Sequence, residues 1–126
     1  MLWRPSSLLW SLRDRPSLTL ALRIGSWICV SLLAVLSLLP AEDMMRTRLS
    51  GHIEHAMAYA ATTLLLRLGY GRWGWLQLTM ALICYAGVLE LMQHLSPGRH
   101  PGVDDWIASS IGVVLCTGAA GTVFRC

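Results

Sequence analysis

Four long apolar stretches run along the chain, from about Leu18 to Leu39, Ile53 to Gly69, Trp75 to Gln93 and Trp106 to Phe124. A membrane-spanning helix needs roughly 17–25 mostly apolar residues. The first, third and fourth stretches meet that length, and the first is interrupted only by Arg23 near its start. The second is weaker. Its purely apolar part, Ala56 to Leu66, covers only about 16 Å at about 1.5 Å per residue, roughly half a hydrocarbon core. To span, that helix must begin near Ser50 and end near Tyr70, which draws His52, Glu54 and His55 towards the membrane boundary. The connections are short, and the last one holds Pro97, Gly98, Pro101 and Gly102, which cannot continue a helix. The pattern predicts an all-α, polytopic integral membrane protein. Its four-transmembrane-helix bundle would occupy residues 18–126, with helices at about 18–39, 51–70, 74–94 and 104–124, behind an arm at 1–17.

Composition supports that reading. Only 13% of the 126 residues are charged and 55% are hydrophobic, whereas a soluble domain carries about 25% charged residues to cover its surface. The ten basic residues are all Arg and are scattered, with no zinc-finger or other nucleic-acid signature, so a nucleic-acid partner is not expected. Their placement orients the chain. Arg4, Arg13, Arg15, Arg23, Arg67, Arg72 and Arg125 fall on one side and Arg46, Arg48 and Arg99 on the other. Both termini are therefore expected to be cytoplasmic, with the first and third loops outside. The first stretch is longer than the usual 7–15-residue core of a signal peptide, and no small-x-small site follows it, so it reads as an uncleaved helix. Leu2, Trp3, Leu8, Leu9 and Trp10 suit an arm lying along the inner interface. Cys29, Cys84, Cys116 and Cys126 form no CxxC pair and suggest neither disulfides nor a zinc site, and Cys84 and Cys116 read as core residues. No cofactor motif is present and no metal site is assigned.

The topology brings the start of the second helix, the end of the third and the start of the fourth to one face. On these ends His52, His55 and Tyr59 share one helix face, as do Glu90, Gln93 and His94, and then Asp105, Ser109 and Gly112. The loop adds Arg99, His100 and Asp104. Each residue has a structural explanation. Asp104 or Asp105 can cap the fourth helix. Glu90 can pair with Arg99 or a histidine simply to satisfy itself, and His55 and Tyr59 can be packing residues. Ala108, Ser109 and Gly112 make a small-residue packing surface. Ionisable residues inside a membrane are nevertheless functional candidates by default, and here three helices supply them at one depth.

Three runs resemble motifs of the VanZ family. His52-Ile53-Glu54-His55-Ala56-Met57-Ala58-Tyr59 resembles D-K-x-x-H-x-x-x-Y, Glu90 to Arg99 resembles E-x-x-Q-x-x-x-P-x-R, and Asp105 to Gly112 resembles D-x-x-A-N-x-x-G. Together they span about Gly51 to Gly112, roughly half the chain, in order and with the spacing within each kept. Gly51 and His52 stand where the family has Asp and Lys, and Ser109 where it has Asn. The resemblance implies a multi-pass protein of the bacterial plasma membrane, in a setting linked to teicoplanin-type glycopeptide resistance.

Three functions follow as expectations. In the first, the cluster binds a membrane lipid or lipid-linked cell-wall component. Arg99 would hold a phosphate or carboxylate bidentately, with Gln93, Tyr59, His52 and Ser109 as further ligand-binding residues. In the second, His55, Glu90 and Asp105 are catalytic groups of a membrane enzyme acting on a lipid-linked substrate by acid–base or metal chemistry, His94 being a further possible metal ligand. In the third, the small-residue faces dock the chain into a larger complex, and Gly112 is the sensitive position.

Overall fold

A computed structural model describes residues 15–40, 42, 48 and 50–123. Among them it has four helices and no strands: α1 (Pro16–Leu38), α2 (Gly51–Gly69), α3 (Trp75–Gln93) and α4 (Val103–Val123). The arm before residue 15 and Phe124 to Cys126 lie outside the described residues.

Local chemistry sets the boundaries. Pro16 occupies the first turn of α1, where its missing N–H and fixed φ are no handicap. The helix therefore starts two residues before the apolar run does. Leu39 is extended, with φ −63° and ψ 140°, as the residue before Pro40 must be to avoid the proline ring. α2 carries Glu54 in its first turn and Arg67 in its last, which complements the helix dipole at both ends. α4 begins after Pro101-Gly102 with Asp104 and Asp105 in its first turn.

α1 and α3 are long and apolar enough to cross a membrane. α4 carries Asp104 and Asp105 in its first turn, ahead of an apolar stretch from Trp106 onward. α2 is less apolar, yet its nineteen residues extend about 28 Å, close to the roughly 30 Å of a hydrocarbon core.

The helices pack in the order α1, α2, α4, α3 around the bundle, with α2 lying most extensively along α4. The core mixes apolar residues such as Leu66, Leu78, Leu82, Leu89 and Val113 with small hydroxyl residues, and large apolar side chains line the exterior. Buried positions include Ser26, Thr62, Thr63, Thr79, Ser109 and Thr117, while Trp27, Leu36, Met57, Leu91 and Leu115 are exposed. Each of those six buried hydroxyls donates to a carbonyl three or four residues back in its own helix, as Thr63 Oγ1 does to Tyr59 O at 2.6 Å. A hydroxyl satisfied this way leaves a small surface against which another helix can pack closely. The closest approach is at Gly112. A Cβ built there would stand 2.9 Å from both Cα and C of Ala56 and would collide with its carbonyl oxygen, so α4 meets α2 backbone to backbone.

Polar links join the remaining helices. The Tyr85 hydroxyl donates to Val30 O at 2.6 Å, tying α3 to α1. Trp106 Nε1 donates to Ile83 O at 3.1 Å, tying α4 to α3, and its indole lies against Gly87. Cys29, Cys84 and Cys116 are free thiols, and Cys84, expected in the core, is exposed.

Candidate functional site

The C-termini of α1 and α3 and the N-termini of α2 and α4 meet at one end of the bundle. Contacts across all four helices fix this arrangement. His52 Nδ1 of α2 lies 2.8 Å from Asp105 Oδ1 of α4. The Gly102 N–H, just before α4, donates to Glu90 Oε1 of α3 at 2.8 Å. The loop between α3 and α4 reaches over to α1.

That loop explains Arg99. Ser96-Pro97-Gly98-Arg99 forms a tight turn in which Arg99 N donates to Ser96 O and Gly98 has φ 72°. Proline at the second position and a positive-φ glycine at the third are what a type II turn requires. The turn aims both of its outer side chains at the end of α1. Ser96 Oγ donates to Leu38 O at 2.9 Å. Arg99 Nε donates to Leu39 O at 3.0 Å and Nη2 to Leu36 O at 2.6 Å. The final carbonyls of a helix have no partners within it, and here a serine and an arginine from a distant loop supply them. The guanidinium expected to clamp a phosphate or carboxylate thus has two of its donors engaged by α1.

The remaining candidates divide by burial and engagement. Tyr59 and Gln93 are 2% and 3% exposed, and neither side chain makes a hydrogen bond among the described residues. Ser37, buried near the end of α1, makes none either. All three lie in the half of the bundle that bears the polar end. Tyr59 is within electrostatic reach of Tyr85 and Glu90, and Glu90 within reach of Asp105, His55 and Arg99. Tyr59, Glu90 and Gln93 are thus the interior of the site, His55 flanks it, and the His52–Asp105 pair bridges α2 to α4 at its edge. Ser109 is buried, but its hydroxyl donates to Asp105 O at 2.9 Å, which leaves it acceptor capacity only. His94, His100 and Asp104 are exposed.

Three participants escaped the sequence reading. Ser96 sits inside the motif around Pro97, and its role depends on where α1 ends. Tyr85 is a lone phenol in the apolar run of α3, a signal that was available. Glu54 has a buried Oε1 without a hydrogen-bond partner among the described residues. No group of three His, Cys, Asp or Glu side chains among the described residues is placed to hold a metal ion, so His55, Glu90, His94 and Asp105 do not form a ligand set there. Chemically, the arrangement offers a carboxylate anchored through one oxygen, a phenol within its electrostatic reach and a primary amide one helical turn further along α3. Such a set can donate to and accept from a polar group.

Comparison with protein-family models, with curated proteins and with solved structures yields no match for this chain.

Proposed function

We propose that this chain is a multi-pass bacterial membrane protein, VanZ-like in its motifs, that binds a polar group of a lipid or lipid-linked cell-envelope component between α2 and α3. Both termini face the cytoplasm in this reading, and the polar end faces outward. One contrast carries it. The buried Ser and Thr hydroxyls elsewhere in the bundle are nearly all engaged by their own helices, whereas Tyr59 and Gln93 are equally buried and keep their hydrogen-bonding groups uncommitted beside Glu90. Their polar atoms are not sealed off, since Glu54 Oε1 is the buried side-chain atom without a partner among the described residues, and they are thus open to a ligand. A ligand that pairs with these two supplies what the fold leaves open. The apolar exterior of all four helices supports a lipid surrounding, and the excess of arginine at the opposite end supports the orientation.

Topology is tested by a reporter fused to the C-terminus. Four crossings leave a fluorescent protein active and alkaline phosphatase inactive there, and the reverse result refutes the fourfold count. Binding is tested with Tyr59→Phe and Gln93→Ala in a teicoplanin-susceptible bacterium. The unaltered chain is expected to raise the inhibitory concentration of teicoplanin, and each variant to remove most of that rise at equal expression. Full protection by both variants sinks the proposal. Glu90→Gln separates binding from acid–base chemistry. Its side-chain oxygen still accepts from Gly102 N–H, so the purified protein is expected to unfold at the same denaturant concentration. A general acid or base at Glu90 predicts complete loss of protection, while a purely structural Glu90 predicts none.

A further inference from the structure

The opposite end of the bundle has its own chemistry. Among the described residues it carries Arg15, Arg23, Arg67 and Arg72 and no acidic residue, because Glu42, Glu54, Glu90, Asp104 and Asp105 all belong to the polar end. Asp14, beyond the described residues, stands between Arg13 and Arg15 in the sequence. An open groove starts at this basic end and runs along α1, walled by Ile24, Trp27, Ile28, Leu32 and Val35, with Arg23 and Tyr70 at its mouth.

The mouth is organised. Tyr70 stacks on Trp73 with ring centroids 4.9 Å apart. The Arg23 guanidinium lies 4.8 Å from the centre of the Tyr70 ring, and its Nε donates to Gly69 O at 2.9 Å. Trp27 Nε1 donates to the Tyr70 hydroxyl oxygen at 2.7 Å. These contacts fix both side chains without exhausting them. The terminal nitrogens of Arg23 and the Tyr70 hydroxyl proton have no acceptor among the described residues. Three donors, and a positive charge with no acidic partner among the described residues, therefore sit at the head of an apolar groove. From Arg23 to Val35 the groove rises about 18 Å, against roughly 15 Å for half of a hydrocarbon core.

We infer that this groove holds an anionic phospholipid of the cytoplasmic leaflet, its phosphate on Arg23 and Tyr70 and one acyl chain along Ile24, Ile28, Leu32 and Val35. The length matches one leaflet, and the amphipathic order of the groove matches a lipid rather than a soluble phosphate. The surplus of arginine selects a negative headgroup over a zwitterionic one. The inference rests on the membrane-spanning reading above, and not on the cluster at the other end.

The test uses the full chain reconstituted in vesicles of equal parts phosphatidylglycerol and phosphatidylcholine, extracted in mild detergent and analysed for co-purifying phospholipid by native mass spectrometry. Flotation with the vesicles is scored separately, so that loss of membrane insertion is distinguishable from loss of the lipid site. Phosphatidylglycerol is expected to be retained in preference to phosphatidylcholine. Arg23→Gln and Tyr70→Phe are each expected to lower retention about tenfold, the equivalent of one charge-assisted hydrogen bond. Arg72→Gln, which removes a charge at the same end but outside the groove, is expected to leave retention within about twofold, as one exposed charge contributes little. Should Arg23→Gln fail to fold for want of its bond to Gly69, Tyr70→Phe decides alone, since it keeps the ring stack and the arginine. Equal retention of the two lipids, undiminished retention in Tyr70→Phe, or displacement by millimolar inorganic phosphate overturns the assignment.

Discussion

A Gly112→Val substitution is expected to destabilise the folded chain by about 2–3 kcal/mol, the range for forcing volume into a closed contact. The side chain has nowhere to go. Even the first added carbon would sit 2.9 Å from the Ala56 backbone, and backbone cannot rotate aside as a flexible side chain can. α4 would have to lift from α2, the most extensive helix pair in the bundle. In the lipid surrounding proposed above, no hydrophobic penalty would oppose that separation, so close van der Waals packing would be what holds the pair. Gly112→Ala is expected to lose about half as much. Gly118→Ala is the control, because nothing lies within 4 Å of the added carbon. There the gain of a better helix former is expected to leave stability unchanged or raise it by about 0.5 kcal/mol. Unfolding in mixed micelles with rising dodecyl sulfate, followed by circular dichroism, measures all three. Equal curves for Gly112→Val and the unaltered chain would show that the helices do not touch there.

Arg99→Ala is expected to cost about 2–4 kcal/mol in the same assay, with no ligand present. Leu36 O and Leu39 O each lose a charged donor, and a hydrogen bond to a charged group is worth about 1.5–3 kcal/mol. Ser96→Ala removes one neutral hydrogen bond to Leu38 O and is expected to cost about 1 kcal/mol. Arg99→Lys keeps the charge but not the rigid fork that serves two carbonyls at once, so it is expected to fall between them. An arginine whose only task is ligand capture predicts the opposite pattern: unchanged unfolding in the empty protein for all three. The result matters for any functional assay, because a null phenotype in Arg99→Ala would report the end of α1 and not the binding of a ligand. Tyr59→Phe and Gln93→Ala are the cleaner probes, since neither side chain supports the fold through a hydrogen bond.

Much of this was legible in the amino-acid order. Apolar runs of helical length, punctuated by Pro16, Pro40, Gly74 and the Pro97–Gly102 segment, are local features, and a helix boundary is decided by the residues beside it. Pro40 forces Leu39 out of the helical region whatever surrounds it. The meeting of Tyr59, Glu90 and Gln93 at one end was legible too, because short loops between consecutive helices leave little choice of direction. His52 and Asp105 share that end for the same reason.

Which partner each polar side chain takes was not legible. Arg99 stands beside Glu90, His100 and Asp104 in the sequence, and nothing local says that its guanidinium turns to carbonyls some sixty residues earlier. Gly112 reads as a small residue on a helix face, but only packing decides that Ala56 is what it meets. The engagement of Tyr85 with Val30, and the convergence of Arg23, Trp27 and Tyr70, likewise require α1 to lie against α2 and α3. By itself, the sequence determined four helices, their approximate ends and the end at which their polar residues gather, because periodicity and chain direction are properties of neighbouring residues. Only the tertiary structure decided which polar groups are satisfied and which stay open, because satisfaction depends on distances between segments that the chain order does not set.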